Sequence, residues 1–182
     1  NGGREIQSAG EDHILVSSPR VSSYDLKPEM SALEVTDKTF KAIEQESYDF
    51  ILLNFANADM VGHTGNLKAT VKAAETVDRC LGKIVNSILN KGGLVFVTAD
   101  HGNAESLFNM QTGQIDKEHS VNPVPFLIIS KDYEGKSLSL PDAPGGDLSL
   151  LKPQGMLADV APTILKVMNL EKPSEMTGRS LI

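Results

Sequence analysis

Three short runs are apolar at nearly every position: Phe50-Ile51-Leu52-Leu53, Leu94-Val95-Phe96-Val97 and Val124-Pro125-Phe126-Leu127-Ile128-Ile129. Continuous runs of this kind suit strands buried on both faces of a sheet, as parallel sheets are. A long amphipathic stretch lies between the first two runs. Val71, Ala74, Val77, Leu81, Ile84 and Ile88 recur at spacings of three and four, so a helix is expected there, with its apolar face along that stripe. It should end at Lys91-Gly92-Gly93. A second helix should start at Ser31, which has capping-box spacing to Glu34, and bury Leu33, Phe40 and Ile43. His13 to Ser17 and Tyr48 to Ala56 read as further strands, and Asp159 to Met168 as a last helix with Pro162 in its first turn. The alternation predicts an α/β fold, a mostly parallel sheet with helices on both faces.

Pro125 places the last apolar run at a sheet edge or at an element start. From Lys131 to Gln154 the chain is rich in Ser, Gly, Pro and Asp, and reads as a surface excursion or an unassigned hairpin.

The 182 residues correspond to about one domain. A formal net charge of −7 disfavours nucleic acid and anionic membranes as general partners, since both select basic surfaces. No run of about 18 apolar residues is present to cross a bilayer. A single cysteine, Cys80, excludes an internal disulfide and fits a reducing compartment; with no leader-like opening, a cytoplasmic location is expected. Cys80 itself reads as packing. The opening Asn1-Gly2-Gly3 reads as a turn cut from a longer polypeptide.

The chemistry is concentrated in three segments. Asn57-Ala58-Asp59-Met60-Val61-Gly62-His63 follows one expected strand, and Ala99-Asp100-His101-Gly102 follows another. Glu118-His119-Ser120-Val121-Asn122-Pro123 precedes the third. Asp59 and His63 are four apart, which one helical turn would place on the same side. Ligands in open α/β sheets bind beyond the carboxyl ends of the strands, where Asp59/His63 and Asp100/His101 fall. Imidazole and carboxylate without thiolate is a set for Zn, Mn, or Mg with more oxygen. One Asp-His pair in a loop is ordinarily a cap or a turn; three such segments point to a ligand set.

His119 constrains the topology. Before a parallel strand it would emerge at the wrong end of the sheet, and residues 100–123 contain no clear amphipathic crossover helix. The Val124 strand is therefore expected to be antiparallel. His13 reads as a surface group, Met30, Met60 and Met168 as core, and Glu44, Glu46 and Glu105 as solvated. Arg4 and Arg20 could reach a phosphate but read first as surface charges.

These segments resemble the cofactor-independent phosphoglycerate mutases of the alkaline phosphatase superfamily. The resemblance rests on Asn54 to Gly65, on Val97 to Glu105, and on His119 with Asn122-Pro123-Val124-Pro125-Phe126. Accessory stretches agree: Ser18-Pro19-Arg20 into Tyr24 to Ala32, Leu157 to Thr163, and Met176-Thr177-Gly178. The resemblance implies a two-manganese site, Mg²⁺ or another divalent ion being possible. Asp59, His63 and His119 would hold one ion, and Asp100 and His101 would belong to the second. It also implies a glycolytic isomerase that interconverts 3-phosphoglycerate and 2-phosphoglycerate through a phosphoserine. An acidic chain then meets an anionic substrate through its metals.

Residues 1–182 would be the C-terminal portion of the metal-binding, phosphatase-like domain, an incomplete lobe exposing apolar surface where the rest packs. The family's nucleophilic serine context, an N-terminal aspartate of the second metal set and the inserted transferase domain are not in this sequence. No serine here is in the matching context, so the isolated chain is expected to be inactive and to need the N-terminal portion of the same polypeptide. The rival readings are another metal-dependent hydrolase of the superfamily and, for the isolated chain, a non-catalytic metal-binding module.

Overall fold

A computed structural model describes residues 6–109, 111–116, 118–136, 144–147 and 150–182. Arg4 and the Asn1-Gly2-Gly3 turn lie outside the described residues. The elements run α1 (Ala32–Gln45), α2 (Asn57–Gly62), α3 (Leu67–Asn90), β1 (Val95–Thr98), β2 (Phe126–Ile129) and α4 (Val160–Val167), with short 3-10 turns between them. Helices and sheet are mixed in one α/β arrangement.

α1 and α2 both pack on α3. Their contact surface is lined by small and hydroxylated residues. α1 buries Ala32, Thr36, Thr39, Ala42 and Ile43. α3 buries Ala69, Thr70, Ala73, Thr76, Cys80, Ile84 and Ser87. The expected faces are therefore rotated. Leu33 is 59% exposed and Val71 48%, while Ile43 and Ile84 alone of the marked bulky residues are fully inside. Short side chains let the helices approach closely, and a threonine is cheap to bury here because its hydroxyl bonds back along its own helix. Thr36 donates to the Ala32 carbonyl at 2.7 Å and Thr76 to that of Lys72 at 2.8 Å. Met30, Val61, Ala69 and Ala73 close the core, with Met60 packed against it.

The helix ends differ from expectation at one cap. Ser31 is the N-cap of α1, but its hydroxyl donates to the Ser17 carbonyl at 2.7 Å and Glu34 pairs with Lys38, so no capping box forms. α3 is capped by Asn66, which accepts from the Ala69 amide at 3.2 Å. Lys91, beyond its other end, pairs with Glu46 at 2.6 Å, which ties the ends of α1 and α3 together.

β1 and β2 pair antiparallel, with Val95 opposite Ile129 and Thr98 opposite Phe126. The antiparallel reading of the last strand holds, and Pro125 lies just before it. The mostly parallel, doubly covered sheet does not form among the described residues, where this pair is the only sheet. The runs at 13–17 and 48–56 have no regular secondary structure. A strand exists only where a neighbour completes its ladder, and these runs find none here; Leu15 and Leu52 are each 86% exposed. These two runs thus leave apolar side chains in solvent.

Between 131 and 154, the described residues form short 3-10 turns at Lys131–Tyr133 and Pro144–Gly146. At the C-terminus, Asp159 is buried and holds the tail: it accepts from the amides of Met156 at 2.9 Å and Arg179 at 2.8 Å.

Candidate metal centre

Three connections bring the marked residues together. α2 is a short helix whose start is pinned by buried Asn57, donating to the Pro28 carbonyl at 2.8 Å. One turn later it presents Asp59 and, at its C-cap, His63 on the same side, with His63 Nε2 3.2 Å from Asp59 Oδ1. β1 delivers Asp100 and His101 at its carboxyl end. The antiparallel return into β2 brings His119 back to that end.

His119 Nε2 lies 3.4 Å from the same Asp59 Oδ1 and 3.3 Å from His63 Nε2. Its ring stacks on His101, with centroids 3.6 Å apart and planes 7° from parallel. Asp59, His101 and His119 each offer a ligand atom within 4.8 Å of the others. The structure thus gathers Asp59, His63, His101 and His119 into one group. Asp100 stands apart from it: its side chain is 88% exposed, and its Oδ2 lies 3.5 Å from His101 Nε2.

The donor chemistry fits a divalent cation. Asp59, His101 and His119 converge without a thiolate, and His63 adds a third imidazole 3.2 Å from Asp59, a nitrogen-rich set of borderline character. The 3.3 Å between His63 Nε2 and His119 Nε2 suits a shared cation as well as a hydrogen bond between the rings.

Two further residues organise this group. Asn103 is buried, and its amide nitrogen donates to Asp59 Oδ1 at 2.8 Å while lying 3.1 Å from His63 Nε2. Gly62 makes room for it, since a Cβ there would stand 2.5 Å from Asn103 Oδ1. Glu105, expected to be solvated, is instead engaged. Its Oε2 accepts from the Asn103 amide at 2.9 Å, and its Oε1 accepts from the Ser120 hydroxyl and from Asn122 Nδ2 at 3.1 Å. Partial burial pushes its pKa up, but the bonds from Ser120, Asn122 and the backbone outweigh this and leave it below the usual glutamate value. The sequence signal for both residues is their place just after the Asp100-His101 corner; a polar side chain bonded to a ligand has no periodicity of its own.

Other placements agree with the sequence. His13 is a surface group paired with Glu11 at 2.6 Å, and Cys80 is buried packing. Arg20 is exposed. Glu44 and Glu46 are exposed but meet Lys91.

A profile described as the metalloenzyme superfamily matches residues 1–172. The chain is 54% identical over 182 residues to the 2,3-bisphosphoglycerate-independent phosphoglycerate mutase of Clostridium perfringens (strain SM101 / Type A). It is 51% identical over 182 residues to the protein of that name from Clostridioides difficile (strain 630). Each alignment covers 100% of this chain and 33% of the relative, so the chain spans about a third of the length of the curated relatives it matches. Among solved structures, a Leishmania mexicana phosphoglycerate mutase at low cobalt concentration superposes with a TM-score of 0.70 at 30% identity, over 90% of this chain and 30% of that one.

Proposed function

The chain belongs to the metalloenzyme superfamily, and from that premise we propose that it carries the metal-binding residues of a phosphoglycerate mutase. In the complete protein, Asp59, His63 and His119 hold one divalent ion, and Asp100 and His101 contribute to a second. Manganese is the ion proposed for both. The reaction is the interconversion of 3-phosphoglycerate and 2-phosphoglycerate, a cytoplasmic step of glycolysis. The observation that carries this reading is the convergence of Asp59, His63, His101 and His119 from three separate connections. The named relatives support the reaction class.

Bound cations would supply positive charge for a phosphoryl group and lower the pKa of a coordinated hydroxyl. This chain's own residues hold and orient. Asn103 fixes the Asp59 carboxylate by donating to Oδ1, the oxygen that His63 and His119 also approach. α2 sets the spacing of Asp59 and His63. Ser120, the serine beside His119, donates its hydroxyl to Glu105. The resemblance to the phosphoglycerate mutases assigns the nucleophilic serine to the remainder of the polypeptide.

The test is an enolase-coupled assay of the complete protein with manganese. His63→Ala and His119→Ala should each abolish turnover; unchanged turnover in either would overturn its metal role.

A further inference from the structure

Residues 102–105 and 119–122 are joined by more bonds than a loop crossing requires. Gly102 and Ser120 form an isolated antiparallel bridge, with the Ser120 amide donating to the Gly102 carbonyl at 2.9 Å. Both oxygens of Glu105 are used across the same crossing. Oε2 holds the Asn103 amide on one side, while Oε1 holds Ser120 and Asn122 on the other. The crossing is crowded: a Cβ on Gly102 would stand 2.2 Å from Ser120 Oγ and 2.3 Å from Glu105 Oε1.

His119 needs such a brace. Its side chain is 47% exposed, so packing does not hold it. The described residues of the connection that delivers it, from Ala104 to Glu118, are largely exposed. Yet its ring sits 3.6 Å over that of His101 and 3.4 Å from Asp59. The bonds fixing the adjacent Ser120 are those to Gly102 and Glu105.

We infer that Glu105 is a positioning residue for the metal group, bracing the His119 loop against the Asp100-His101 corner and so setting where His119 stands relative to Asp59. The inference rests on the metal reading of that group for its functional consequence, but the brace itself is a property of this chain. Glutamine at 105 keeps the shape and one acceptor oxygen but turns an amide towards donors, so it is a partial replacement. Alanine removes all three acceptances. Partners that orient ligands in this way are worth about 10- to 100-fold in metal affinity.

The experiment uses the full 182-residue chain in two readouts. In the first, Mn²⁺ is titrated into folded protein. Glu105→Ala should bind about 10- to 100-fold more weakly than the unsubstituted chain, with Glu105→Gln between them. In a His119→Ala background, Glu105→Ala should cause little further loss, because the residue it positions is gone. Unchanged affinity, or a full additive loss in that background, would overturn the inference. The second readout needs no metal: imidazole ¹⁵N–¹H correlations should show the His119 ring signals shifted or broadened by Glu105→Ala while those of His13 stay in place. Unmoved His119 signals would overturn the brace. If the unsubstituted chain takes up no Mn²⁺, the metal reading falls, and the imidazole spectra still decide the brace.

Discussion

His63 and His119 are 56 residues apart in sequence, yet their Nε2 atoms lie 3.3 Å apart and both approach the same oxygen of Asp59. Asp59 is therefore the hub of the group. Asp59→Ala should reduce Mn²⁺ affinity by more than about 100-fold, beyond what losing an outer partner costs. Titration of the folded variant by calorimetry checks this; a loss smaller than that of Glu105→Ala would place the hub elsewhere.

The isolated chain should show no mutase activity. No serine in it stands in the sequence context of the family's nucleophile, and the Asp100 side chain is 88% exposed. A coupled assay with manganese should give the blank rate, and robust turnover would refute the assignment of the nucleophile to another part of the protein.

The α1–α3 contact depends on short side chains. Thr36 is fully buried with its hydroxyl satisfied at 2.7 Å. Thr36→Leu adds volume where there is none and should destabilise by about 1–3 kcal/mol. Thr36→Ser should be milder. Chemical denaturation of both variants measures this, and a stabilising leucine would mean that the contact is loose.

The C-terminal tail should respond to acid. The Arg179 and Met156 amides hold the Asp159 carboxyl below the usual aspartate range. A lowered folded pKa gives stabilisation that is complete above the unfolded value, about pH 4, and is lost as pH falls through the folded value. Exchange of the Arg179 amide should therefore accelerate more steeply than expected below about pH 4. Asp159→Asn should remove that dependence, and a variant with the same profile would show that the carboxylate is not the sensor.

The proximity of Asp59, His63 and His119 is more legible in the sequence than the packing around them. Asp59 and His63 share a helical turn by spacing alone, and the absence of a crossover helix before Pro123 was enough to turn β2 antiparallel and bring His119 home. The helix faces failed because apolar periodicity gives threonine no weight. Thr36, Thr76 and Ala73 are buried, while Phe40 is 43% exposed. The run at Phe50 to Leu53 has strand composition but no partner strand among the described residues to make it one. Glu105 and Asn103 escaped because their role lies in a tertiary hydrogen-bond pattern, which has no local period.

We propose that Asp59, His63 and His119 hold a divalent ion, with His101 stacked beside them. The most direct measurement is Mn²⁺ binding to the folded 182-residue chain, followed by electron paramagnetic resonance of free ion, beside a variant carrying both Asp59→Ala and His119→Ala. Saturable uptake that the double substitution abolishes, with the helical circular dichroism retained, is the expected result. A folded chain that takes up no Mn²⁺, or uptake that survives both substitutions, would contradict it.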